Sequence, residues 1–317
     1  MAKVSFTVVL AFGANLLVAI AKTVAATLTG SASIMAEAAH SWADTGNEIF
    51  LVVADRRGSG GRDAKHPLGY GREQYFWSTI AAFGLFTAGA ILAIWNGIQE
   101  LVDPEPATDY WIAYLVLGIS AVLEGISFSQ ALRQARAAAR ARGTGTLQQV
   151  LNSSNSTLRA VFAEDAAALI GLAIAFLGVL LHQLTGSAVY DALGSILVGV
   201  LLGIVAIVLI DRNRRFLVGQ EPSDDLNNVA LGLLLDRDDV ERVTYLHLEF
   251  VGPERVYLVA AVDLTGDETE EHLAVRLRRL ERLLEDNEHI EEAVLTLSTP
   301  DEDSLVPTPV PTISSAS

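Results

Sequence analysis

The chain contains no cysteine, which excludes a disulfide scaffold, thiolate zinc sites and thiol catalysis. Charged residues are scarce at 19%, while hydrophobic residues reach 51% and mean hydropathy is +0.37. A water-soluble enzyme rarely has that balance. Bases are fewer than acids, 22 Lys and Arg against 38 Asp and Glu, for a formal charge of −16. Phosphate binding needs clustered Lys and Arg, so nucleic acid is excluded as a partner. The His-Glu-x-x-His motif of zinc hydrolases is also missing.

What the chain does have is long apolar runs. Residues 6–29, 75–99, 110–132 and 187–210 are each long enough to cross a bilayer core of ~30 Å, which takes about 20 residues. The first run is too long for a signal-peptide core and has no small-x-small cleavage site, so it reads as a span. Six spans are expected: 6–29, 33–55, 75–101, 110–132, 158–182 and 187–210. The 2–3 connection carries Arg56, Arg57, Arg62, Lys65 and Arg72, and the 4–5 connection carries Arg133, Arg136, Arg140, Arg142 and Arg159. The 3–4 connection holds only acids, Glu100, Asp103, Glu105 and Asp109. By the positive-inside rule the N-terminus, both basic loops and the C-terminal region are expected in the cytoplasm. With short loops and no targeting peptide in view, a bacterial cytoplasmic membrane is the expected location.

Charge divides the chain near Asp211. Residues 1–210 carry −2 and the remainder −14. A membrane domain over 1–210, an aqueous domain over 211–298 and a disordered tail over 299–317 follow from that split and from the Pro/Ser/Thr-rich end. In the aqueous part, Pro222 is expected to open a helix running to about Leu235. Val240–Phe250, Val256–Leu264 and Ile290–Leu297 read as strands. Thr269–Asn287 has Leu273, Leu277, Leu280 and Leu284 at helical spacing. The order α-β-β-α-β implies a small α+β layer of helices on one sheet face.

Ionisable groups inside a membrane cost about 2.5–3.5 kcal/mol each on insertion scales, so they point to function. Span two carries Glu37, His40, Asp44 and Glu48, with Asn47 beside the last. His40 and Asp44 are four apart and share one helix face, with Glu37 and Glu48 on or near it. An imidazole nitrogen and a carboxylate at that spacing chelate a borderline ion such as zinc. The plainer reading is a His–Asp hydrogen bond that joins helices. Span five opens on Glu164-Asp165, whose side chains point about 100° apart, so at most one faces a given partner squarely. Asp165 and Glu164 could complete a site begun by His40 and Asp44, or lie at the interface, Glu164 more so. Asn15, Lys22, Glu124 and Asp191 read as structural polar groups, Lys22 snorkelling or paired with an acid. His66 and Asp63 lie in the basic 2–3 loop, and His182, His247, His272 and His289 show no ligand spacing.

Taken together, several motifs make the chain similar to the cation diffusion facilitator family of divalent-metal/proton antiporters, over about residues 5–298. They are Thr29-Gly-Ser31-x-Ser33, His40-x-x-x-Asp44, His66-Pro-x-Gly-Tyr-Gly-Arg72, Tyr190-Asp191-x-x-Gly-Ser195 and the α-β-β-α-β end. Glu164-Asp165-x-Ala-Ala most resembles the zinc-transporter-nine-like branch. The resemblance implies a polytopic α-helical membrane protein with six transmembrane helices and a ferredoxin-like cytoplasmic α+β domain. It also implies a homodimer in lipid, and a tetrahedral ion site between spans two and five that exchanges zinc for protons.

Carried over by position, the ligands are His40, Asp44 and Asp165. The family's fourth ligand, a histidine, is replaced by Val161, so Glu164, Glu48, Asn47 or water completes the sphere, or the site is three-coordinate. Oxygen ligands open the site to Mn2+, Co2+ or Fe2+, while His40 favours zinc. In the 2–3 loop, Tyr70 stands where zinc-binding members often have a second histidine, leaving His66 and Asp63 as a weak residual site. Thr244, Ala260 or Ala261, and Leu297 stand near the places of the family's cytoplasmic histidines, so little or no structural metal is expected there. No organic cofactor and no enzymatic activity are expected. The competing readings are a non-transporting sensor or scaffold of the same fold, and a membrane metalloenzyme.

Overall fold

The computed structural model describes residues 6–104, 108–141, 143–266 and 268–308. Expectations for Glu105, Arg142 and the tail beyond 308 fall outside these residues. The chain forms two compact units, one of residues 1–56 with 76–214, the other of residues 57–75 with 215–317. The loop expected with the membrane domain thus clusters with the C-terminal unit.

The helices of the first unit begin and end where the sequence supplies caps. Helix α1 (Phe6–Thr29) stops at Gly30, whose φ of +67° suits a residue without a Cβ. The Ser31 hydroxyl then accepts from the Ile34 N–H at 3.3 Å at the start of α2 (Ala32–Gly58). Helix α3 runs over Gly71–Val102 and contains a π turn at Ala82–Phe86. Next come α4 (Tyr110–Ala141) and the short α5 (Thr146–Asn152), the latter not anticipated from the sequence. In α6 (Ser156–Thr185) the Asn155 side chain caps the start, accepting from the Leu158 N–H, and Gly186 at φ +72° ends it. Helix α7 (Val189–Leu217) follows. Helices α2, α3, α4 and α7 outrun the expected spans because the backbone stays helical past the apolar stretch into the basic residues.

Among the described residues, five helices are long and apolar enough to cross a membrane: α1, α3, α4, α6 and α7. Helix α2 has the length, at 27 residues. Its acids and histidine lower its hydropathy, so it is a sixth span by length rather than by composition.

Packing in this unit relies on small side chains, as expected where lipid offers no hydrophobic drive between helices. Ala25, Ala26, Ile34, Ala113, Leu117, Leu172, Ala175 and Val179 join α1, α2, α4 and α6. Ala36, Phe86, Ala90, Ala93, Val198 and Leu202 join α2, α3 and α7. Glycines bring backbones together: a Cβ on Gly97 of α3 would meet the Ala192 carbonyl of α7 at 2.6 Å. Large apolar side chains such as Ile91, Trp95, Trp111 and Leu197 point outward.

In the second unit, α8 (Asp224–Leu235) has Ser223 at its N-cap position, so Pro222 precedes the helix instead of opening it. Strand β1 (Val240–Gly252) pairs antiparallel with β2 (Arg255–Leu264), which pairs parallel with β3 (Ile290–Leu297). Helix α9 (Glu270–Glu285) makes the crossover between β2 and β3. Leu231 and Leu234 of α8 and Leu280 and Leu284 of α9 cover Leu248, Leu258, Ala260, Val262 and Leu295 on one sheet face. Alternation leaves Tyr245, Val259 and Val294 on the other face. Within this unit Tyr75, Phe216 and Phe250 form an aromatic cluster, Tyr75 stacked on Phe216 with centroids 5.1 Å apart and Phe250 meeting Phe216 edge-on.

The stretch 299–308, expected to be disordered, is held down. The Leu305 N–H donates to the Val243 carbonyl at 2.7 Å, and Thr308 exchanges hydrogen bonds with the Asn228 side chain. These bonds satisfy backbone groups that composition alone does not show to have partners.

Candidate metal centre

Helix α2 places Glu37, His40, Asp44 and Asn47 at intervals of three or four residues, which puts them along one side of the helix. Burial follows that stripe. Glu37, His40 and Asn47 are buried, whereas Trp42 and Ile49 on the other side are exposed. His40 Nε2 lies 3.3 Å from Asp44 Oδ2. Neither ring nitrogen of His40 has a hydrogen-bond partner among the described residues, and neither does Asp44 Oδ1. Buried polar atoms normally have partners, so this concentration of free lone pairs is unusual.

Helix α1 runs antiparallel to α2 and reads its acids in order. The Asn15 amide donates to Glu48 Oε1 at 2.7 Å, and Lys22 Nζ donates to Glu37 Oε2 at 2.9 Å. Asn15 and Lys22 are two turns apart, Glu48 and Glu37 three, so each pair of residues shares a helix face.

Helix α6 separates its two acids as the 100° rotation requires. Glu164 is buried and accepts from the Asn47 amide of α2. Asp165 accepts from the Ser127 hydroxyl of α4 at 2.8 Å. The expectation that Glu164 is the interfacial one is therefore corrected: it faces α2, because Asn47 supplies a donor there. Asp44 lies within electrostatic reach of Glu164, Glu124, Lys22 and Glu37, and Glu48 within reach of Glu124 and Asp165. Acids from α2, α4 and α6 thus share one interior region with a single lysine. Glu124, Asn15, Lys22 and Ser127 belong to this region. The sequence signal for the first three was only that they are polar residues within apolar spans.

The structure brings His40 and Asp44 together, and Glu164 beside Asn47. It does not draw three His, Cys, Asp or Glu side chains to within metal-ligating reach of one point, among the described residues. Asp165 instead accepts from Ser127.

The 2–3 loop is built differently. Asp63 Oδ1 accepts from the N–H groups of Lys65 and His66, and Oδ2 accepts from the Tyr70 hydroxyl at 2.7 Å. The His66 and Tyr70 rings lie 3.8 Å apart. The Tyr70 hydroxyl bond, with the loop N–H groups, holds the Asp63 carboxyl down to about 2, and the same carboxylate pushes the Tyr70 phenol up. Both oxygens of Asp63 are occupied by the turn that they close.

Residues 8–218 match the family described as the cation efflux transmembrane domain. The chain is 36% identical over 233 residues to metal tolerance protein C4 of Arabidopsis thaliana, covering 74% of this chain and 51% of that protein. It is 36% identical over 238 residues to the mitochondrial proton-coupled zinc antiporter SLC30A9 of Xenopus laevis, covering 75% of this chain and 43% of that one. The human protein of the same name is 33% identical over 238 residues, 42% of its length. The chain spans about half the length of these curated relatives.

Proposed function

The chain belongs to the cation efflux family, and from that premise we propose that it is a secondary transporter, not an enzyme, exchanging a divalent cation for protons. The relatives named as proton-coupled zinc antiporters favour zinc as the cargo. The single observation that carries the reading is the His40–Asp44 pair inside an apolar helix bundle, with unpartnered buried atoms on both residues and Glu164 within electrostatic reach of Asp44.

The chemistry follows from the donor set. Neutral imidazole and carboxylates suit zinc, and each must be free of its proton to bind. Metal and protons therefore compete for the same lone pairs on His40, Asp44 and Asp165. Where protons are abundant the metal leaves, and where they are scarce it binds. Alternating exposure of the site to the two sides then converts a proton gradient into metal movement. Glu164, Asn47 and Glu48 stand ready to supply a fourth oxygen. Asp63 and His66 are a lesser candidate, since the Asp63 oxygens already serve the loop. Mn2+, Co2+ and Fe2+ are secondary cargo candidates by the same ligand chemistry.

The proposed assembly is a homodimer embedded in lipid, to which Tyr245 and Val294, exposed on the second sheet face, lend contact area. The proposed membrane is one that sustains a proton gradient, a bacterial cytoplasmic membrane by the sequence reading, with both termini on the cytoplasmic side. A second reading is a metal sensor or scaffold. It draws on Val161 standing in the fourth-ligand position and on Asp165 being engaged by Ser127.

The test is metal uptake into proteoliposomes under an imposed pH gradient, with zinc, manganese, cobalt and iron(II). Proton-dependent zinc flux that disappears in Asp44→Asn and Asp165→Ala is the expected result. Flux as large in both variants as in the parent overturns the ligand assignment. No flux of any metal by folded protein overturns transport in favour of the sensor.

A further inference from the structure

Lys22 is the only Lys or Arg between residues 4 and 55, and it lies in the middle of an apolar helix. Its Nζ sits 2.9 Å from Glu37 Oε2 with both side chains fully buried. As a clasp between α1 and α2 such a pair is a poor choice. Desolvating two charges offsets most of their attraction, and a packed apolar pair would hold the helices at least as well. The charges therefore call for a role beyond adhesion.

Their surroundings supply one. His40, Asp44 and Glu124 all lie in the field of the Lys22 ammonium. Glu37 acts on Asp44 and Glu124. Glu37 Oε1 has no hydrogen-bond partner among the described residues and abuts Gly171 of α6, where a Cβ would collide with it. The ammonium is thus anchored on one side by Glu37, one turn before His40 on the same helix, and bears on His40 and Asp44 of α2 and on Glu124 of α4.

We infer that Lys22 and Glu37 are a charge-setting pair outside the ligand shell, which fixes how tightly the His40–Asp44 site holds a dication. This rests on the transport reading above. Lys22 repels an arriving dication and Glu37 offsets that repulsion, so together they keep affinity low enough for release. Both are positioning residues, since neither is placed among the metal ligands. The glycine at 171 gives the Glu37 carboxylate the room it needs to stay on the ammonium.

The two partners then have opposite signs, which a merely adhesive pair does not. Zinc binding to the full-length protein in detergent is measured by titration calorimetry, and KM and kcat by proteoliposome uptake. Lys22→Met is expected to tighten zinc binding about tenfold, the scale of one unit charge acting on a dication across a helix contact at intermediate dielectric. Its kcat falls because release slows. Glu37→Gln is expected to weaken binding by about the same factor and to raise KM with kcat largely kept.

Glu37→Asp retains both charges, and so tolerates burial, but draws the carboxylate back by one methylene. A several-fold weaker zinc affinity at parental Tm is expected from it, and it carries the test should the charge-deleting variants not fold. Single variants that shift affinity in the same direction, or a Glu37→Asp protein with parental affinity, overturn the inference. A parent that binds no zinc overturns the transport reading itself, and the pair's role with it, whereas parental zinc flux with unshifted variants removes only the pair's role.

Discussion

Close packing at the first turn of α2 yields a prediction with an internal control. The Ser33 hydroxyl of α2 donates to the Asp191 carbonyl of α7 at 2.7 Å. It reaches that carbonyl through a gap made by Gly178 of α6 and Gly194 of α7. A Cβ on Gly194 would collide with Ser33 Oγ, while its next neighbours, Ser33 Cβ at 3.5 Å and Gly178 Cα at 3.6 Å, are at ordinary contact. Gly194→Ala is therefore expected to destabilise by about 2 kcal/mol, the usual scale of overpacking in a filled core. Ser33→Ala loses one buried hydrogen bond, about 1 kcal/mol. The double variant removes the colliding oxygen along with the bond, so it should cost about 1 kcal/mol instead of about 3, a coupling of about 2 kcal/mol.

Gly178→Ala is the control. Its Cβ would also meet the Tyr190 carbonyl at 3.3 Å and Asp191 Cα at 3.4 Å, and neither is removed by Ser33→Ala. Its rescue should be partial. The assay is equilibrium unfolding in mixed micelles. In a helical unit of this size, about 2 kcal/mol corresponds to a Tm change of about 4–8 °C. Additive losses in the Gly194→Ala/Ser33→Ala protein would refute the wedge geometry.

Two further predictions concern the other unit. Gly71→Ala should destabilise by about 3 kcal/mol in denaturant titration, because its Cβ would lie 2.6 Å from both Gly252 Cα and the Val251 carbonyl, backbone atoms that no rotamer change can move; a parental midpoint counts against that contact. Tyr70→Phe removes the largest influence holding the Asp63 carboxyl at about 2, so its midpoint, followed by carboxyl carbon NMR, should rise toward the ordinary carboxylate range. The sign follows from linkage. A depressed carboxylate contributes loop stability above its unfolded value near 3.9, and that contribution is lost as pH falls through about 2. An unmoved midpoint contradicts the assignment.

The sequence alone determined the long helices, the order of the α+β elements and the His40-x-x-x-Asp44 stripe. These are periodic or compositional properties: span length, charge and the three-to-four residue repeat are written along the chain. Partnership is not. The sequence offers Lys22 an acid without saying which and gives Asn15 no partner, and only the antiparallel crossing of α1 and α2 sets them against Glu37 and Glu48. Rotation along α6 sends Glu164 to Asn47 and Asp165 to Ser127. Sequence could state that the two diverge but not which neighbour each meets. The stretch 299–308 has the composition of a loose tail, yet Val243 and Asn228 hold it, because a backbone bond depends on which carbonyl lies opposite. Local patterns fix what each segment is, and long-range packing decides what its polar atoms touch. In an apolar interior those contacts govern whether a charge is structural or functional.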